Sequence, residues 1–349
     1  MTETVNLNYS IDKQAPRRKG RVLRFILKTL GVLGAFLLSV VILLYGAITV
    51  ICKGPSPTAR DLFVVSVEET SAVKFTSRIH LDEAEVQAIL RANAVIPIDD
   101  VTDVTRSFDP PLAADASDEP IEIHEVSGDT FVGKMMIVKD PARMRLACLD
   151  AFGAEIRGKK VEQFALENNA TAAINGGFFN DPGGVGKGGQ PLGLLIRDGV
   201  IRNGGPGTTS TIVGFDADNR LIIGKMSGKQ ALDMSIRDAV TVEPSIMPPL
   251  IVNGNPAEFT GNGSGLNPRT AIGQRADGAV LMLVIDGRQP HSLGATLQDC
   301  LRFMTEFGAV NASMQDGGSS SVMVYKNEVI NVCSSLYGSR SQPAAWLVM

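Results

Sequence analysis

Apolar and polar positions fall into three regimes along this chain. From Thr29 to Cys52, 24 residues pass without a charged side chain, a run long enough to cross about 30 Å of hydrocarbon as one helix. A cleaved signal peptide usually has an apolar core of only roughly 7–15 residues, so the pattern predicts a retained transmembrane signal-anchor over 29–52. Residues 53–120 follow with mixed signals: the turn-forming Gly54-Pro55-Ser56-Pro57, an apolar Leu62-Phe63-Val64-Val65 that reads as a strand, and a helical spacing over Leu81–Leu90 with acidic residues in its first turn. From Pro97 to Pro120 the chain is acidic and proline-containing (Asp109-Pro110-Pro111, Asp115, Asp118), a linker composition. Residues 53–120 are therefore expected to be a membrane-proximal stalk and linker.

Beyond residue 120 short apolar runs alternate with two-residue turn signals. Ile121–Val126, Phe131–Lys139 and Arg143–Leu149 read as strands, and Asp198-Gly199, Asp218-Asn219, Asn253-Gly254, Asp277-Gly278 and Lys326-Asn327 read as hairpin turns. Helices are expected at Val161–Asn168 and Thr296–Phe307, the second opened by a Thr296/Asp299 capping box and closed by Gly308. The fold class is α+β: one strand-rich domain over 121–349, mostly antiparallel, with a few helices.

Charge separates the ends of the chain. Residues 1–28 hold seven basic and two acidic groups, including Arg17, Arg18, Lys19, Arg21, Arg24 and Lys28, a net of +5 against −4 for the whole chain, which leaves −9 for the rest. Lys and Arg stay preferentially on the cytoplasmic side. The expectation is a single-pass plasma-membrane protein with residues 1–28 in the cytoplasm and the main domain extracytoplasmic. An acidic outer domain argues against nucleic acid as a partner. The four cysteines, Cys52, Cys148, Cys300 and Cys333, match no metal spacing and allow at most one disulfide among the last three. His80, His124 and His291 are isolated, so no histidine-ligated metal is expected.

Four apolar runs end in polar and glycine residues. They are Ala172-Ala173-Ile174-Asn175-Gly176-Gly177-Phe178-Phe179, Asn267-Pro268-Arg269-Thr270-Ala271-Ile272-Gly273, Val280–Ile285 followed by Asp286-Gly287-Arg288, and Asn311–Gln315 followed by Asp316-Gly317-Gly318-Ser319-Ser320-Ser321. Paired glycines admit a ligand to backbone N–H groups, and a guanidinium suits bidentate binding of phosphate. Their order, with a late Arg340 before Pro343–Val348, resembles the phosphodiester glycosidase family, bacterial exopolysaccharide-type relatives of the lysosomal uncovering enzyme. The resemblance covers roughly residues 130–349. One departure is Met314, standing where the family usually has Asn, and a second is Ser319 in place of Gly.

The resemblance implies a membrane-anchored hydrolase that cleaves the glycosidic C–O bond of sugar-1-phosphodiesters in cell-envelope or exopolysaccharide glycans. Such a bond expels a phosphate monoester, so the site must chiefly neutralise phosphate charge and stabilise an oxocarbenium-like centre. Asp316, Asp286 and Asn175 are the candidate catalytic residues. Arg269, Arg340, Gly176, Gly177, Gly317, Gly318, Ser319 and Ser320 are the candidate substrate contacts. Each has an ordinary alternative: Asp before Gly commonly serves its own turn, and a strand-end Arg commonly makes a surface ion pair. No cofactor is expected, although Asn175, Asp286 and Asp316 leave an oxygen-ligated Ca²⁺ or Mg²⁺ site open. Two other activities stay open to the same residues: a phosphodiesterase cutting P–O, and a non-catalytic carbohydrate-binding or assembly module. Gly184–Gly189 matches a nucleotide-loop spacing but leads into the strand-like Leu192–Ile196, so Lys187 is expected to be a solvated loop lysine.

Overall fold

A computed structural model describes residues 17–70, 73–105, 119–182, 186–335 and 338–349, with side chains from residue 22 onward. The first sixteen residues, the side chains of Arg17, Arg18, Lys19 and Arg21, and the acidic stretch containing Asp109-Pro110-Pro111, Asp115 and Asp118 lie outside them, as do Gly184 and Val185. Two compact units are present, residues 1–55 and 56–349. The first contains helix α1 (Arg17–Lys53). Its stretch Val22–Lys53, whose 18-residue window reaches a mean hydropathy of 2.6, is long and apolar enough to cross a membrane, a property that a signal sequence shares.

Unit 56–349 begins earlier than the sequence pattern suggests, because residues expected to form a stalk are built into it. Helix α2 (Pro57–Glu68) starts where Ser56 accepts a hydrogen bond from the Ala59 N–H and Pro57 supplies a preset φ. The four residues Leu62–Val65, which read as a strand in the sequence, are its middle, with Val64 and Val65 buried. A short apolar run cannot be assigned by periodicity alone, and here the N-terminal cap decides. Helix α3 (Glu83–Ala92) follows with a full Asp82/Glu85 capping box. Further on, Val95–Ile96 pairs with Glu258–Phe259, and Thr102 bonds the backbone of Ile223 in both directions.

The body consists of antiparallel sheets. In the seven-stranded sheet, Arg269–Arg275 and Val280–Ile285 are central, flanked by Ala309–Met314 and Val132–Val138. A five-stranded sheet carries Ala172–Asn175 between Met323–Tyr325 and Ala344–Val348, and another is built on Thr209–Asp216 and Ile236–Val242. Val280–Ile285 is buried at all six positions, and Trp346, fully buried, meets Phe215 edge to face at 5.5 Å. The five expected hairpins form. Asp198-Gly199, Asn253-Gly254 and Lys326-Asn327 each place both turn residues at positive φ, the twist a two-residue hairpin needs. Helices α4 (Val161–Glu167), α5 (Gly228–Asp233) and α6 (Leu297–Glu306) complete the unit, with α6 opened by the Thr296/Asp299 box.

Candidate active site

Asn175 stands at the end of its strand, fully buried, and its side chain joins three of the four motifs. Its Nδ2 donates to the Asp316 carbonyl at 2.5 Å, while its Oδ1 accepts from the Thr270 hydroxyl at 2.8 Å and the Val322 N–H at 3.2 Å. Amide and carbonyl are thus spent on protein, so Asn175 fastens the site from beneath. Gly176 and Gly177 are buried with it. A Cβ on Gly177 would stand 2.5 Å from the Thr241 carbonyl and one on Gly176 3.0 Å from that of Ala344. These two glycines allow backbones to close on each other, and they do not line the cleft.

That cleft, about 420 Å³, lies where the remaining motifs converge. It is lined by Arg269, Arg340, Met314, Asp316, Gly317, Gly318 and Ser319 among the expected residues, and by Glu69, Thr70, Phe178, Phe179, Asp181, Ile246, Met247, Asn267, Arg288 and Gln315 besides. Arg269 is buried, with Nε on the Ala295 carbonyl at 3.1 Å and Nη2 on Glu69 at 2.8 Å and the Gly265 carbonyl at 2.7 Å. Asp316 is half-buried, and its carboxyl is pushed up to about 6. Loss of solvent is the main cause and nearby Asp181 adds to it, while the Ser320 hydroxyl, Arg340 and the Gly317 N–H pull the other way. Ser320 therefore acts through Asp316 from outside the cleft lining. Arg340 is ion-paired with Asp181 and sits over the Phe179 ring at 5.2 Å.

Asp286 is not brought to the cleft. Its Oδ1 accepts from the Asn331 amide at 3.1 Å and the Val332 N–H at 3.0 Å, and His291 stands 3.7 Å from its Oδ2, so it anchors the 331–332 loop. The side chain next in that motif, Arg288, enters the cleft instead. Sequence reasoning passes over Arg288 although it sits in the same Asp-Gly-Arg, and over Asp181, six residues after Asn175. Nothing in the sequence marks Glu69. Lys187 is paired with Glu155 at 2.6 Å, both largely exposed. Among the described residues, no three His, Cys, Asp or Glu side chains converge as a metal site, and none of the four cysteines is in a disulfide.

A strand-framed cleft thus gathers three arginines, three carboxylates and the Gly317-Gly318 turn in one lining. The chain belongs to the phosphodiester glycosidase family, whose sequence model matches residues 168–349, just over half of it. It is 29% identical over 290 residues to the SPbeta prophage-derived uncharacterized protein YomE of Bacillus subtilis (strain 168), a match covering 79% of this chain and 42% of that protein's length. Its fold is similar to the catalytic domain of zebrafish N-acetylglucosamine-1-phosphodiester alpha-N-acetylglucosaminidase, auto-inhibited by pro-peptide, at TM-score 0.55 and 21% identity over 69% of this chain and 87% of the other. A hypothetical protein from Synechocystis aligns at TM-score 0.46 and 16% identity over 64% of this chain and 61% of that one.

Proposed function

We propose that this chain hydrolyses sugar-1-phosphodiesters at the glycosidic C–O bond, held by its N-terminal helix in the plasma membrane with residues 56–349 outside the cytoplasm. Phosphate-linked glycans of the envelope or exopolysaccharide are the substrate class. The observation that carries this reading is the pairing, in one cleft, of a half-buried carboxyl raised to about 6 with Arg269, Arg288 and Arg340. Arg269 and Arg288 take the phosphate, whose departure as a monoester needs little acid assistance. Asp316, ionised at neutral pH, is the carboxylate at the anomeric carbon, and Asp181 keeps Arg340 beside it.

Turnover of a panel of sugar-1-phosphodiesters by purified wild type, Asp316→Asn and Arg269→Ala tests the assignment. Losses on the order of 10²–10³ or more are expected when a preorganised charge is removed, with circular dichroism unchanged. Folded variants that retain near-wild-type rates would overturn the roles of Asp316 and Arg269.

A further inference from the structure

The motifs that define the family all lie after residue 168, yet two of the cleft's cations are held by the end of a helix about 200 residues earlier. We propose that Glu69 and Thr70, at the C-terminal end of α2, are positioning residues that set Arg269 and Arg288 for an anionic oxygen of the substrate. The inference rests on the reading of this cleft as a phosphate site.

Glu69 is fully engaged. Its Oε2 accepts from Arg269 Nη2 at 2.8 Å and from Asn267 Nδ2 at 2.7 Å, and its Oε1 accepts from the Gly265 N–H at 3.0 Å. The Thr70 hydroxyl donates to the Ser66 carbonyl at 3.0 Å and accepts from Arg288 Nη2 at 2.9 Å. Asn267 links the two halves, its Oδ1 accepting from Arg288 Nε at 3.1 Å and Nη2 at 2.8 Å. Helix and loop are in direct contact besides: Ser66 Oγ accepts from the Leu266 N–H at 2.8 Å, and a Cβ on Gly265 would stand 2.3 Å from Ser66 Cα.

The pattern of these bonds separates positioning from simple occupation of the site. Among the described residues, every bond of both arginines falls on the Nε and Nη2 atoms, which for Arg269 also reach Ala295, Ser264 and Gly265, and none falls on Nη1. A guanidinium offers five N–H donors in a fixed fork. With one edge tied down, the Nη1 donors are presented in a set direction and lose little freedom on binding. Were Glu69 instead a carboxylate sitting where phosphate belongs, its removal would free Arg269 and tighten phosphate binding. The two roles differ in sign.

Full-length protein in detergent, as wild type, Glu69→Ala, Glu69→Gln, Thr70→Val and Arg269→Ala, is titrated with inorganic phosphate by calorimetry. The same proteins are assayed for kcat and KM on a sugar-1-phosphodiester turned over by wild type. We expect phosphate affinity to fall about tenfold in Glu69→Ala and about threefold in Thr70→Val, with KM rising more than kcat falls, since charge-assisted bonds to Arg are lost. Glu69→Gln, which keeps an acceptor oxygen, should lie between wild type and Glu69→Ala. Should Glu69→Ala fail to fold, Thr70→Val, close in size to the native residue, still carries the test. Unchanged affinity in folded variants, or tighter phosphate binding in Glu69→Ala, would overturn the proposal. Wild type that binds no phosphate, with Arg269→Ala indistinguishable from it, would instead remove the phosphate reading and this inference with it.

Discussion

Asp316 holds its proton up to about 6 because the cleft floor strips it of water by more than Ser320 and Arg340 compensate. In the unfolded chain the same carboxyl ionises near 3.8, so the native state binds more protons between those values and loses stability as pH rises through that window. Asp316→Asn removes the effect. Thermal melts should therefore show the variant gaining on wild type between pH 4 and pH 7, and an equal offset at both pH values would contradict the shift. At Met314, fully buried at the end of its strand yet lining the cleft beside Met247, a thioether stands two residues before Asp316 in the same lining. Met314→Asn should raise kcat/KM toward N-acetylhexosamine phosphodiesters relative to other sugars, because an amide is then available to an acetamido group. An unchanged ranking over the panel would make Met314 packing alone. Asp316, Arg269 and Arg340 are legible in the sequence because each sits in a distinctive local motif. Asp286 looks like Asp316 there, both preceding Gly at a strand end, and only the loop that reaches its carboxylate tells them apart.

At the scale of elements, the strand ends meet through Asn175. Removing its side chain leaves the Val322 N–H and the Thr270 hydroxyl without their partner, at a cost on the order of 1–3 kcal/mol for each buried group left unpaired. Asn175→Ala should lower the melting temperature as well as activity, whereas a purely catalytic role would leave stability intact. Hairpins and capping boxes are readable from sequence because their determinants lie within four residues of one another. Helix α2 is not, since Leu62–Val65 has the composition of a strand and Glu69 meets its partner Arg269 only through the folded chain. Gly176 and Gly177 show the same limit: the sequence marks a place without room for a side chain, and only the neighbouring backbones of Ala344 and Thr241 show what fills it.

For the molecule as a whole, residues 56–349 form one unit and the apolar helix belongs to the other. A chain beginning at residue 56 should be soluble and active, and one beginning at residue 121 should lose activity with the α2 contacts. In spheroplasts of cells making the full chain, added protease should degrade the large unit; its protection would reverse the proposed topology. The claim on which the functional reading turns is which bond breaks. Hydrolysis of a sugar-1-phosphodiester in ¹⁸O-water, with both products analysed by mass spectrometry, answers it directly. We expect the label in the released sugar and none in the phosphate monoester; label in the phosphate would mean P–O cleavage and contradict a glycosidase.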